Sequence, residues 1–171
     1  MFKKFLLFTL LFIPATLMAQ GTQTIAYINS AEIITAMPEY TEMQNKLQAE
    51  QAAIEKEMQT LQDEYTKKYQ AFMDEAEGMV ETIRTRRMQE LGDLEERAQT
   101  FAQQSQQQFV QLQQSLFMPI HEKVQAALKA VGDSNNYAYI LDIGAQGGTI
   151  VYVNPNTVDA TPLVKKQLGI Q

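Results

Sequence analysis

The chain has 171 residues, no cysteine, one histidine and a formal net charge of −6. The lack of cysteine excludes disulfide bonds, cysteine-ligated metals and a cysteine-linked lipid anchor. The acidic balance argues against nucleic-acid binding, which depends on neutralising phosphates, and against general attachment to anionic lipid.

The first 19 residues have the layout of a secretory signal peptide. Lys3 and Lys4 precede an apolar run from Phe5 to Ile13, and cleavage is expected between Ala19 and Gln20. A retained membrane anchor is the weaker alternative, because the run is shorter than the about 20 residues that span a bilayer. Cleavage changes the formal net charge from −6 to −8 and leaves an exported chain, periplasmic in a two-membrane bacterium.

Residues 20–37 predict the first part of a small β-body. Thr24–Asn29 reads as a strand with apolar residues on both faces. Ser30 is expected to cap a short helix, Ala31–Ala36, and Pro38 suits the first turn of the next helix.

Residues 38–118 predict two long helices that form a hairpin with its hinge near Gly78. Each is about 40 residues long and extends roughly 60 Å at 1.5 Å per residue. The helix periodicity comes from apolar residues at steps of three, four and seven. These are Tyr40, Met43, Leu47, Ile54, Met58, Leu61, Tyr65, Tyr69, Phe72 and Ala76, then Leu91, Leu94, Ala98, Phe101, Phe109, Leu112 and Leu116.

Residues 119–171 predict the second part of the body. Pro119 is expected to kink the returning helix and Gly132 to end it. Tyr137–Ile143 and Thr149–Val153 have strand composition, and the loop Gly144–Gly148 is expected to join them as a hairpin. A last helix runs from Thr161 to Gly169.

The predicted fold is α+β, with a three-stranded sheet too small to bury both of its apolar faces. Several sheets could close into one barrel-like body, so we expect a homo-oligomer. The residues expected in the oligomer body are Ile25, Tyr27, Ile28, Tyr139, Leu141, Ile150 and Tyr152.

The arms are rich in methionine, aromatic residues and glutamine, which favours a surface that accepts partners of varied shape. The alternative is that these side chains pack the seam between the two helices. The candidate partner-binding residues are Met58, Tyr65, Tyr69, Phe72, Met73, Met79, Met88, Phe101 and Phe109.

Other site chemistry is nearly absent. His121 has no second histidine at metal-ligand spacing, and no nucleotide-binding signature is present, so we expect no enzyme activity and no cofactor. Three arginines near the hinge, Arg84, Arg86 and Arg87, are a possible lipid contact. Salt bridges with neighbouring glutamates are the favoured alternative.

The order of these elements resembles the Skp/OmpH family of periplasmic chaperones. The resemblance rests on the signal peptide, the first strand, the two long helices, the strand Tyr137–Asp142 and its expected partner Thr149–Val153. The stretches 98–103 and 158–168 are similar to that family as well. The family is strongly basic in its best-known members, whereas this chain is acidic.

The resemblance implies a trimer whose strands form a central barrel, with three helical hairpins projecting around a cavity. It also implies an ATP-independent holdase that binds unfolded outer-membrane β-barrel proteins. From the residues themselves we expect no nucleic-acid partner, because the chain is acidic, and no stable membrane insertion, because no segment after the signal peptide reaches membrane-spanning length. The alternative function is a structural spacer or adaptor of the cell envelope. A holdase keeps many unfolded clients in solution, whereas a spacer binds one folded partner.

Overall fold

The computed structural model describes residues 24–145, 148 and 150–170, and the predicted signal peptide lies outside them. The chain is mostly helical with a small sheet, which agrees with the predicted α+β class. The elements in order are β1 Thr24–Ile28, α1 Ser30–Thr35, α2 Pro38–Glu75, a 3-10 turn Ala76–Gly78, α3 Glu81–Asn135, β2 Tyr137–Asp142, β3 Val158–Asp159 and α4 Thr161–Leu168.

The sheet has the strand order β2–β1–β3, and both outer strands run parallel to β1. Parallel pairing of β1 with β2 requires a long connection between them, and the helical arms supply it. One face of β1 presents Ala26 and Ile28, which are buried against Ile33, Ile120 and Val164 of the helices. The base of the arms and the sheet therefore share one core.

The predicted hairpin after β2 is not formed. Residues 150–153 are outside any strand, and the third strand is the short β3, which pairs with the other side of β1. Ile143 N–H instead donates to the Ile28 carbonyl (2.9 Å), and Gly144 follows against the start of α1, so the chain does not fold back along β2. Among the described residues, the edge of β2 away from β1 therefore has no strand partner.

Two helix boundaries also differ from the predictions. α3 continues past Gly132 to Asn135, because Asn136 takes the left-handed conformation (φ 53°) that closes the helix. α1 begins at Ser30 and is capped by Asn29, whose side chain accepts from Glu32 N–H at 3.1 Å. The end of α4 at Gly169 is confirmed, with φ 72°.

A hydrogen-bonded junction joins the end of β1, the start of α1 and the end of β2. The Asp142 carboxylate accepts from Ser30 N–H (3.1 Å) and Gly144 N–H (2.9 Å). Asn29 N–H donates to the Thr161 hydroxyl at 3.0 Å, which adds the start of α4. This junction sets where the chain leaves the sheet and enters the arms.

Gly144→Ala is expected to destabilise the protein by about 2 kcal/mol or more, because overpacking a tight site forces the backbone to move. A Cβ at Gly144 would lie 2.2 Å from Asn29 Oδ1 and 2.9 Å from the Ser30 and Ala31 nitrogens. Urea unfolding followed by circular dichroism measures the loss. Gly92→Ala is the matched control, since nothing lies within 4 Å of its Cβ in α3; there the gain in helix propensity is worth roughly 0.5–1 kcal/mol.

Asp142→Asn is expected to lower the free energy of unfolding by about 1 kcal/mol at neutral pH, because hydrogen bonds to a charged acceptor are stronger. Burial raises the pKa of Asp142, but the hydrogen bonds from Ser30, Gly144 and Ala145 outweigh it and hold the pKa below 3.8. The ionised form is thus favoured in the folded state. The stability that the ionised Asp142 contributes is fully present above pH 3.8 and is lost as the pH falls through the lower pKa of the folded state.

The wild-type advantage over Asp142→Asn should therefore shrink as urea unfolding is repeated from neutral pH down through 3.8. Asp74→Asn, at an exposed position in α2, serves as the control and should leave the unfolding midpoint unchanged. A constant difference between wild type and Asp142→Asn across the titration would show that the Asp142 charge does not stabilise the junction.

Candidate functional site

The arms are α2 and the part of α3 that packs against it. They run antiparallel, since Glu39 pairs with Lys123 at the base and Lys68 pairs with Glu90 (3.9 Å) near the other end. The predicted hinge coincides with the 3-10 turn Ala76–Gly78. The residues buried between the helices above the base are Leu61, Leu91, Leu94 and Ser105, with Met43 and Leu47 joining the body core below.

None of the nine candidate partner-binding residues is buried in the chain. Tyr69, Met73 and Met88 are exposed by 44%, 54% and 58%. The others are half-buried, namely Met58, Tyr65, Phe72, Met79, Phe101 and Phe109, and Phe109 packs against the body core. The buried apolar residues between the arms are therefore mainly leucines, and the candidate methionine and aromatic residues remain at least partly exposed to solvent.

The exposed apolar side chains of the arms are concentrated next to the hinge. We call Tyr69, Met73, Val80, Ile83 and Met88 the tip surface; each is at least 43% exposed, and Val80 reaches 65%. Val80 and Ile83 were not among the residues predicted from the sequence. The available signal was that both lie beside the hinge and outside the stripe that packs the seam.

Tyr65 links the tip surface to the second arm. Its ring stacks on Tyr69 with centroids 6.1 Å apart and an angle of 10° between the planes. A hydrogen bond with the Glu95 carboxylate of α3 raises the pKa of the Tyr65 hydroxyl. Tyr65 is therefore held between the arms, and it supports the more exposed Tyr69 ring.

The three tip arginines have partners within the chain. Arg84 Nη2 donates to the Ala76 carbonyl at 2.8 Å, which ties the start of α3 to the 3-10 turn. Arg86 and Arg87 lie 3.6 Å and 3.8 Å from the Glu90 carboxylate. This geometry supports the salt-bridge alternative, and lipid contact by these arginines stays a prediction.

One face of the sheet is apolar and open. The register places Ile25 beside Tyr139 and Tyr27 beside Leu141, and we call these four residues the open sheet face. Ile25, Tyr139 and Leu141 are exposed by 46%, 64% and 40%, and Tyr27 is half-buried. Contiguous exposed apolar patches are typical of interaction sites.

The remaining residues predicted for the oligomer body lie elsewhere. Ile28 points to the opposite face and is 2% exposed in the core. Ile150 is half-buried and Tyr152 is 72% exposed, both in the segment that lacks a strand partner. Val151, which the sequence analysis did not single out, is 98% exposed between them.

Two searches for other site chemistry found nothing in the described part of the chain. Across residues 24–145, 148 and 150–170, no three histidine, cysteine or acidic side chains are grouped so that they could hold a metal ion. The same residues include no helix with the length and apolar character needed to cross a membrane.

Comparison with known proteins gives one family. The family model described as "Outer membrane protein (OmpH-like)" matches residues 24–168, which is most of the chain and includes the sheet, both arms and α4. No curated protein matches the chain.

Proposed function

This chain belongs to the OmpH-like family, and from that membership we propose that it is an ATP-independent holdase for unfolded outer-membrane proteins. The family is a periplasmic family of outer-membrane protein chaperones. The finer proposal is that this chain binds β-barrel clients before they fold and prevents their aggregation.

The observation that carries the proposal is the exposure of the tip surface. Burying a large apolar side chain contributes about 1.5–3 kcal/mol, so an exposed group of such side chains favours binding to another apolar surface. Methionine adapts its shape and tyrosine adds a polar edge, which suits an unfolded client whose sequence varies. We propose all nine candidate residues as the client surface, with Tyr69, Met73 and Met88 as the main contacts.

Client release in this mechanism has no step that consumes nucleotide. Each contact between an arm and an unfolded client is weak, and several contacts on tethered arms raise the effective local concentration of the client. A client that folds into the membrane buries the same apolar residues more completely there. Folding therefore competes with the arms and draws the client away.

We further propose that three copies associate by pairing their sheet edges into a closed β-barrel body, which buries the open sheet face. The support is the contiguous apolar patch on β1 and β2 together with the segment 150–153, which has strand composition and forms no strand within the single chain. A barrel removes both open sheet edges. Each copy would then contribute one pair of arms to a shared client space.

The proposal includes export through the signal peptide, with cleavage between Ala19 and Gln20. That segment lies outside the described residues, so the support is the sequence together with the periplasmic character of the family. Mass spectrometry of the protein purified from a periplasmic fraction would identify the first residue of the mature chain.

The experiment that tests the proposed function is light scattering during dilution of a urea-unfolded outer-membrane β-barrel protein into buffer. With this protein present at near-stoichiometric amounts and without ATP, scattering should stay near its starting value. An unrelated acidic protein at equal concentration controls for non-specific effects. Scattering that rises equally in both samples would support the spacer alternative instead.

A further inference from the structure

The arms have a concave surface about halfway along their length. It has a volume of about 410 Å³, within the range of about 300–1,000 Å³ typical of binding clefts. Its floor is apolar, formed by Leu61 of α2, which is 4% exposed, and Phe101 of α3, which is half-buried. We call this cleft the middle groove.

The rim of the middle groove is acidic. Glu57, Asp93 and Glu96 line it together with one basic residue, Arg97, so the charged side chains of the rim sum to −2. None of these three carboxylates is within 4.0 Å of a basic group in the described part of the chain. The rim therefore retains its charge, in contrast to Glu90 at the tip, which pairs with two arginines and Lys68.

The separation of the rim carboxylates argues against a metal ion as the occupant. No three acidic side chains of the described residues are close enough together to share an ion, and this includes the groove. Separate negative charges above an apolar floor are instead complementary to a chain with apolar side chains and separate positive charges.

We propose that the middle groove binds segments of unfolded client in which an aromatic or aliphatic residue lies next to lysine or arginine. The apolar side chain packs on the half-buried Phe101 at the groove floor, and the basic side chain reaches the rim carboxylates. This inference rests on the proposed holdase function and adds a client class to it. The tip surface then accepts apolar segments without regard to charge, whereas the middle groove selects cationic ones.

The test uses three fluorescein-labelled peptides of equal length with the same phenylalanine positions. At the remaining positions serine alternates with one other residue, which is lysine in the first peptide, glutamine in the second and glutamate in the third. Fluorescence anisotropy with the intact oligomer should give about tenfold tighter binding of the lysine peptide than of the glutamate peptide, because three exposed charges each act weakly. Raising the salt from about 50 mM to about 300 mM should remove most of that difference.

A variant with Glu57→Gln, Asp93→Asn and Glu96→Gln removes the rim charge and keeps side-chain size. This variant should bind the lysine peptide about tenfold more weakly than the wild type does, and its affinity for the glutamine peptide should change by less than about twofold. The matched control, Glu50→Gln with Asp74→Asn and Glu122→Gln, removes three exposed acidic charges that do not line the groove and should leave the lysine peptide within about twofold.

Equal binding of the three peptides to the wild type overturns the inference, and it is the result expected if another subunit covers the groove. Equal weakening by the rim variant and the control also overturns it, because the effect would then come from overall charge. Aggregation suppression by the wild type is measured in parallel. Suppression without peptide selectivity refutes only the groove, and selectivity without suppression refutes only the holdase function.

Discussion

Replacing Tyr69, Met73 and Met88 together by glutamine is expected to weaken client binding about a hundredfold. Each of these exposed side chains contributes roughly 1 kcal/mol when a client covers it, and every 1.4 kcal/mol is a factor of ten. In the light-scattering assay, suppression at stoichiometric amounts should be lost. The arms should remain folded, because glutamine is a good helix former and none of the three residues is buried.

The matched control for the tip surface is Val110→Gln with Met118→Gln. These residues are exposed by 40% and 53% on α3, toward the base of the arms, so the substitution has the same chemistry in a different place. Suppression should be nearly unchanged. If the tip variant and the control retain equal activity while circular dichroism shows intact helices, the tip surface is not where clients bind.

Replacing Tyr139 and Leu141 by glutamate is expected to convert the proposed oligomer into single chains. Both side chains lie on the open sheet face, exposed by 64% and 40% in one chain, and the proposed barrel would bury them. An unpaired buried carboxylate costs several kcal/mol, and two of them in each copy exceed what a small interface contributes. Sedimentation equilibrium should report three chains for the wild type and one for the variant.

Leu163→Glu is the control for the sheet substitution. Leu163 is an apolar residue of the body with 37% exposure, but it lies on α4 rather than on the sheet. Its substitution should leave the assembly intact. A wild type that sediments as a stable, folded single chain at micromolar concentration would contradict the barrel proposal directly.

The tip variant and the sheet variant distinguish client binding from oligomer assembly. The tip variant is expected to keep the proposed oligomer and lose client contacts, whereas the sheet variant is expected to keep the tip surface and lose the tethering of several arms. Loss of tethering lowers the effective concentration of binding sites around a client. Both variants should therefore fail to suppress aggregation, but only the sheet variant should change in mass.

The acidic character of the arms affects which clients they can hold. Residues 38–118 contain 15 acidic and 8 basic side chains, and few of these acids are paired across the seam. Under the proposed function we expect acidic clients to be repelled at low salt and cationic segments to be attracted. The tip arginines do not reverse this, because Arg86 and Arg87 share Glu90 and Arg84 binds the Ala76 carbonyl.

The sequence by itself predicted the long helices, their hinge and the family. The reason is that a stripe at steps of three, four and seven is a local property, repeated over many turns in α2 and α3. The end of α4 at Gly169 is local in the same way, because glycine readily takes the left-handed conformation found there. The order of these elements along the chain was then enough to predict the family, and the family model matches residues 24–168.

Only the tertiary structure decided which apolar residues are buried and which strands pair. Leu61 and Tyr69 belong to the same stripe, yet one is 4% exposed and the other 44%, because the second arm covers only one side of α2. Residues 150–153 have strand composition but lie outside any strand, and the third strand is β3 on the side of β1 away from β2, because strand pairing depends on which backbone edges the fold brings together. Helix periodicity depends on residues that are close together in the sequence, whereas burial and strand pairing depend on residues more than a hundred positions away.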